Sequence, residues 1–268
     1  MIVAAGTLPV AYDDVGTGQP VVFLHGFPLD RRMWAPQTAA LAVQARCLTP
    51  DLRGLGETPL ATPLAPPLSI DQYADDVAAL LDALAVDRAT VVGLSMGGYV
   101  AFALWRRHPE RVSAFVLAHT RATADTDEVR DRRRTLIRLA RERGSRAVAE
   151  VQIEGLVGKT TRRERPEVVE QLGRLVAASP AEGLVGALTA MMTRPDSSPL
   201  LATITVPTLV VAGEEDALVP PREARAMQEA IPGSRLAVIA GAGHLSNFER
   251  PDEFNARLLG FLKGLPDA

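Results

Sequence analysis

The chain has 268 residues, a formal net charge of −3, and 47% apolar against 23% charged residues. Those values exclude a mostly disordered chain and leave no basic excess for nucleic acid or an anionic membrane surface; the length suits one large α/β domain carrying an insertion, or two small domains. The single Cys47 forbids an internal disulfide and, within the strand-like Ala45 to Thr49, reads as a small core residue. No basic segment with an apolar core and cleavage site opens the chain, and no apolar run reaches membrane-spanning length, so the expected location is the cytoplasm.

Two strand-like stretches come first, Ile2 to Ala5 and Val10 to Asp14, an antiparallel edge hairpin followed by Gly16-Thr17-Gly18. Strand and helix patterns then alternate: Val21 to Leu24 (strand), Arg31 to Val43 (helix), Ala45 to Thr49 (strand), Ile70 to Ala85 (helix), Ala89 to Val92 (strand), Met96 to His108 (helix), Val112 to Leu117 (strand). Short apolar strands between amphipathic helices predict an α/β fold, with a mostly parallel sheet covered on both faces. Ser69 is placed to cap the helix that starts at Ile70, and His108-Pro109 ends the one that starts at Met96.

From Arg121 to about Ser198 the strand pattern vanishes, and charged helical segments such as Asp127 to Arg143 and Pro166 to Ala178 replace it. The sheet pattern resumes with strands Thr208 to Ala212 and Leu236 to Ile239 and helices Arg222 to Ala230 and Pro251 to Leu262. The expected organisation is a core of residues 1–120 and 199–268 with a helical cap, 121–198, over the C-terminal edge of the sheet, where open α/β folds bind ligands. Arg132-Arg133-Arg134 lies among Asp127, Glu128, Asp131 and Glu142, the pattern of a solvated helix face laced with ion pairs.

Gly93-Leu94-Ser95-Met96-Gly97-Gly98 carries the strongest chemical signal. A hydroxyl is a poor nucleophile unless geometry and a base assist it, and the Gly-x-Ser-x-Gly spacing supplies the geometry. A buried strand turns sharply into a helix, Ser95 sits at the strained apex, and a Cβ at Gly93 or Gly97 would crowd that turn. The Met96 N–H, at the start of the helix, can stabilise an oxyanion on an attacked carbonyl. Four histidines could serve as base. His244, in Gly241-Ala242-Gly243-His244 after the last strand, shares the sheet edge with Ser95 and is favoured. His108 complements a helix C-terminus, His25 braces its loop, and His119 is expected to line the pocket without a catalytic role.

The base needs an acid to fix its tautomer. Asp216, just past strand Thr208 to Ala212, is favoured, with Glu214 and Glu215 as rivals. His25-Gly26-Phe27-Pro28 follows Val21 to Leu24, so the Phe27 N–H can meet that of Met96 over a carbonyl oxygen; Pro28 has no N–H to offer. In the turn Asp51 to Glu57, Asp51 and Arg53 are expected to pair and hold the loop. The histidines show no paired ligand spacing, so neither a metal nor a cofactor is expected.

On these motifs, in this order and along essentially its full length, the chain resembles the α/β-hydrolase-fold superfamily. His25 to Asp30 with Met33-Trp34, and Gly93 to Tyr99, are similar to small bacterial carboxylesterases, enol-lactone hydrolases of aromatic catabolism, and the cofactor-free haloperoxidase or perhydrolase group. The resemblance implies an eight-stranded twisted sheet and hydrolysis of small or medium esters or lactones through an acyl-enzyme, with hydrogen peroxide replacing water as a side activity in the third group. Dehalogenases and epoxide hydrolases of the fold use aspartate where Ser95 stands, and their activities are not expected. Carbon–carbon bond hydrolases of aromatic breakdown and acyltransferases are the alternatives, and a lactone-type ligand receptor is the non-enzymatic one. The expected pocket is apolar and of modest size, with Phe27, Trp34, Met96 and His119 as walls and Leu188, Met191 and Met192 from the cap, although the Met pair suits a helix core equally. The expected partner is a small molecule; the apolar helices could cover the sheet or pair two subunits in a homo-oligomer.

Overall fold

The structure, a computed structural model, describes residues 1–60 and 67–266. The hairpin is β1 (Ile2–Ala5) and β2 (Leu8–Val15). The alternating part runs β3 (Gln19–Leu24), α1 (Ala35–Leu41), β4 (Ala45–Pro50), α2 (Ile70–Ala83), β5 (Ala89–Leu94), α3 (Met96–Arg107) and β6 (Val112–Ala118). Four helices follow, α4 (Asp127–Leu156), α5 (Lys159–Glu164), α6 (Pro166–Ala177) and α7 (Ala181–Met192). The chain closes with β7 (Thr208–Gly213), α8 (Pro221–Ala230), β8 (Arg235–Ile239), α9 (Ser246–Glu249) and α10 (Pro251–Leu262).

The eight strands form one sheet in the order β1-β2-β4-β3-β5-β6-β7-β8. Pairs β1–β2 and β2–β4 are antiparallel and the rest parallel, with Val21 of β3 opposite Cys47 on one side and Thr90 on the other. The connection after β3 leads to β4 on one side and that after β5 leads to β6 on the other. This divergence opens a crevice at the C-terminal ends of β3 and β5, the switch point where α/β sheets take their ligands.

Alternate residues of each central strand enter opposite cores. Val22 and Leu24, Val91, and Phe115 and Leu117 pack in the core beneath α2 and α3. Val21 and Phe23, Val92 and Leu94, and Val116 and Ala118 pack on the other face with Leu41, Phe254 and Phe261. Each Val, Leu and Phe among them contributes about 1.5–3 kcal/mol on burial, which is why these strands read as continuous apolar runs. Helix ends follow the sequence signals. The Gln72 N–H donates to Ser69 Oγ at 3.2 Å at the start of α2, and α3 stops at His108, whose Nε2 lies 2.8 Å from Asp75 Oδ1.

Several local expectations need correction. The helix expected over Arg31 to Val43 is a 3-10 turn at Arg31–Trp34 followed by α1, with Pro36 in the first turn of α1, where a missing N–H costs nothing. The segment expected to end at Arg143 continues to Leu156 after a kink at Gly144 (φ 75°, ψ −177°). Asp51 and Arg53 do not pair with each other. Asp51 accepts from the Arg31 N–H and the Glu57 N–H, both at 2.8 Å, and also binds the Arg31 guanidinium, whereas Arg53 Nε donates to Asp76 Oδ2 at 2.8 Å. The Arg132-Arg133-Arg134 run is not uniformly solvated: Arg134 meets Asp131 in solvent, but Arg133 Nε reaches the buried Asp125 at 2.5 Å. Among the described residues no single helix is long and apolar enough to cross a membrane.

Candidate active site

The β5–α3 turn puts Ser95 at φ 55°, ψ −111°, a conformation that side-chain-bearing residues rarely adopt. Surrounding bonds hold it there. The Ser95 N–H donates to the Ala118 carbonyl at 2.9 Å, and the Ser95 carbonyl accepts from Gly98 N at 3.0 Å and Thr120 Oγ1 at 2.9 Å. A Cβ on Gly93 would fall 2.5 Å from the Gly97 carbonyl oxygen, and one on Gly97 would collide with the Leu24 carbonyl, so both glycines of the motif are sterically required. Gly98 is required as well, because a Cβ there would strike the Thr120 side chain that holds Ser95. The sequence motif does not reveal this third glycine.

Strands β6 and β7 lie side by side, so the loops after them bring His119 and Asp216 together, and the loop after β8 adds His244. Asp216 Oδ2 lies 2.8 Å from His244 Nδ1 and 2.9 Å from His119 Nδ1; Oδ1 accepts from the Leu218 N–H at 3.0 Å and the Val219 N–H at 2.9 Å. Burial alone would push the Asp216 carboxyl up, but the electrostatic pull of His244 and the bonds from both imidazoles hold it far below the usual carboxylate range. With Asp216 ionised, both imidazoles donate from Nδ1. That tautomer lets His119 Nε2 accept from the Ser246 hydroxyl at 2.6 Å and leaves His244 Nε2 as the open acceptor. Burial pushes the His119 pKa down, against the pull of Asp216, which keeps this second imidazole neutral. Among the described residues this trio is the one grouping whose donor atoms could converge on a cation, and its hydrogen bonds already join those atoms to one another.

The rival acids are engaged elsewhere. Glu215 accepts from Thr160 Oγ1 at 2.7 Å and Thr160 N at 2.8 Å, and Glu214 accepts from Gly241 N at 3.0 Å. Another carboxylate escaped sequence reading altogether. Glu249, fully buried, accepts from Gly243 N at 2.9 Å, Leu245 N at 3.1 Å, Gly158 N at 2.8 Å and Thr161 Oγ1 at 2.6 Å, and so ties both neighbours of His244 to α5. On the opposite wall, His25 Nε2 accepts from Leu52 N at 2.9 Å while its Nδ1 donates to the Gly26 carbonyl at 3.2 Å, fixing the loop that carries Phe27. The Gly26 N–H is taken by Met33 Sδ at 3.4 Å, whereas the backbone N–H groups of Phe27 and Met96 have no acceptor among the described residues.

Ser95 and His244 face a cleft of about 300 Å³ whose walls include Phe27, Tyr99, Leu136, Leu156, Met191 and Leu218. Of the expected wall residues only Phe27 and Met191 line it; Met96 is fully buried. Trp34 is a core residue, wedged between Phe23 and Phe254 with ring centroids 5.2 and 6.2 Å away. His119 stands behind Asp216, Leu188 is fully buried in the core, and Met192 lies off the cleft. The cleft is also less apolar than expected, since Arg121, Arg132, Arg133 and Arg222 line it.

Comparison with known proteins gives the family. The alpha/beta hydrolase fold family matches residues 19–251. The putative non-heme bromoperoxidase BpoC of Mycobacterium tuberculosis is 33% identical, over 94% of this chain and 97% of its own. A thermophilic esterase from Thermogutta terrifontis, solved with malate bound, superposes with a TM-score of 0.92 at 39% identity, covering 96% of this chain and 94% of its own. The enol-lactonase from Burkholderia xenovorans LB400 superposes with a TM-score of 0.90 at 30% identity, covering 98% and 100%. The chain belongs to the α/β-hydrolase-fold family.

Proposed function

We propose that this chain, a carboxylic ester hydrolase by its family and relatives, cleaves small or medium esters or lactones through a covalent acyl-enzyme on Ser95. The observation that carries the reading is the 2.8 Å bond from His244 to Asp216 in the cleft that also holds the strained Ser95. Ser95 Oγ attacks the carbonyl carbon as its proton passes to His244 Nε2, and Asp216 stabilises the imidazolium. The N–H groups of Phe27 and Met96 receive the oxyanion, a contribution worth about 3–4 kcal/mol per donor in comparable sites. Collapse expels the alkoxide, which takes the proton from His244. Water, deprotonated by His244, then attacks the acyl-enzyme, and the acid leaves as the proton returns to Ser95.

The similarity to a protein named as a bromoperoxidase supports a side reaction on the same intermediate. Hydrogen peroxide in place of water releases a peracid and regenerates the Ser95 hydroxyl. The main reading is tested with p-nitrophenyl esters from acetate to decanoate: the wild type should turn over many equivalents, and Ser95→Ala, at matched thermal stability, should not. Equal turnover by both proteins would remove Ser95 from the chemistry.

A further inference from the structure

One wall of the cleft is a helix face. Val129, Arg132, Arg133 and Leu136 of α4 are spaced i, i+3, i+4, i+7, and all four line the cleft with Ser95 and His244. Two apolar residues bracket two guanidinium groups on this stripe, and Arg121, just after β6, adds a third. The charge behind the wall does not neutralise them. Asp125, fully buried, receives Arg133 Nε at 2.5 Å and Arg194 Nη1 at 2.6 Å, with Arg121 Nη2 at 3.6 Å, so one carboxylate faces three cations.

Arg194 is spent on structure. It also donates to the Met191 and Thr123 carbonyls, both at 2.8 Å, and stacks 3.9 Å above the Tyr99 ring. Arg121 and Arg133 line the cleft with side chains 19% and 13% exposed; Arg133 gives Nε and Nη2 to Asp125 and Nη1 to Met191 Sδ at 3.3 Å, whereas Arg121 Nε is buried without a hydrogen-bond partner. Arg132 is exposed and has no ion pair among the described residues. A half-buried guanidinium with an unfilled donor at Arg121 and an exposed, unpaired one at Arg132, beside a nucleophile, form an anion site, and the planar fork suits a carboxylate. Water screens such a charge poorly in a cleft, so its preference for anions exceeds that of surface arginines.

We infer that the natural substrate carries a free carboxylate remote from its scissile ester or lactone bond, and that Arg121 and Arg132 hold this carboxylate while the ester carbonyl lies on Ser95. This rests on the ester-hydrolase reading and names the substrate class within it. Half-esters of dicarboxylic acids and carboxylated lactones are its members, and their hydrolysis yields dicarboxylates or hydroxy-dicarboxylates. The arginines would raise kcat/KM for such anions and fix which end of the substrate enters first.

The test compares monomethyl with dimethyl esters of succinate, glutarate and adipate by titrating released acid, in the wild type, Arg121→Gln, Arg132→Gln and Ser95→Ala. The inference predicts a monoester-to-diester ratio of kcat/KM of about tenfold or more, one bidentate charge-assisted contact, falling toward one in Arg121→Gln or Arg132→Gln. It also predicts that the advantage shrinks with added salt. Independently of turnover, free glutarate should raise the melting temperature of Ser95→Ala, and by less once Arg121→Gln is added. Ser95-dependent turnover that favours the diester, or glutarate that stabilises both Ser95→Ala proteins equally or neither, overturns the inference and leaves the ester-hydrolase reading standing. Turnover that survives in Ser95→Ala overturns that reading instead, while the glutarate shift still reports on the anion site.

Discussion

Asp216→Asn separates chemistry from folding at one position. The carboxylate accepts four hydrogen bonds, two from backbone N–H groups at Oδ1 and two from imidazoles at Oδ2. An amide oxygen can keep the pair from Leu218 and Val219, which turns the NH2 group toward His119 and His244. Both imidazoles must then accept at Nδ1 and carry their proton on Nε2. For His119 this is harmless, because the Ser246 hydroxyl 2.6 Å away can accept instead of donate. For His244 it is decisive, because Nε2 can no longer take the Ser95 proton. The number of hydrogen bonds survives while their charge assistance is lost, so stability should fall by only about 1–3 kcal/mol. Loss of the correct tautomer costs about 10⁴-fold in kcat, or about 5 kcal/mol in the barrier. Steady-state kinetics on a p-nitrophenyl ester beside a urea melt measures both. Activity within tenfold of wild type in a folded Asp216→Asn protein would refute the tautomer argument and shift the acid role to another carboxylate.

Trp34→Phe should leave KM unchanged at little cost in stability, because Nε1 is buried without a partner, whereas Trp34→Ala should cost about 3–5 kcal/mol in a denaturant titration. A change in KM at unaltered stability would restore Trp34 to the substrate's surroundings. Glu249→Ala strips the acceptor from four donors, each costing about 1–3 kcal/mol when left unsatisfied, and should destabilise the fold by at least about 4 kcal/mol; a loss below 1 kcal/mol would mean that water replaces the carboxylate. Stability should also fall in acid in two stages. Burial lowers the pKa of His25 and His119 against the pull of nearby carboxylates, so between the folded values and the ordinary 6.5 the unfolded chain binds more protons, and stability declines as pH falls below about 6.5. Asp216 and Asp125 resist protonation because their imidazole and arginine partners outweigh burial, so a second loss should begin below about their ordinary 3.8. A melting temperature flat from pH 7 to 4 would contradict the first stage, and Asp216→Asn should weaken the second.

Much of this site was legible because its logic is local. The apolar strands mark the sheet, the glycines around Ser95 mark a turn that tolerates no Cβ, and Asp216 and His244 each follow a strand that ends at the same edge. What stayed hidden depends on long-range packing. His119 binds Asp216 from 97 residues away, and Glu249 reaches Gly158 across 91. Trp34 looked like a wall residue because its loop leads from the oxyanion segment, yet an aromatic gains more between Phe23 and Phe254 than beside water. Arg31 reaches Asp51 from 20 residues away while Arg53, two residues on, turns to Asp76, because β2, β4 and the Arg31–Trp34 turn converge there. The arginines of α4 look solvated when counted as a run, and only the helical period assigns Arg133 inward and Arg134 outward.

The most direct measurement is the mass of the enzyme during turnover. A slowly deacylating ester, quenched in acid and analysed as intact protein and then as peptides, should show one acyl group added to the peptide that contains Ser95. The adduct should be absent from Ser95→Ala. An acyl group mapped to a different residue, or undiminished turnover by Ser95→Ala, would contradict a mechanism built on this serine.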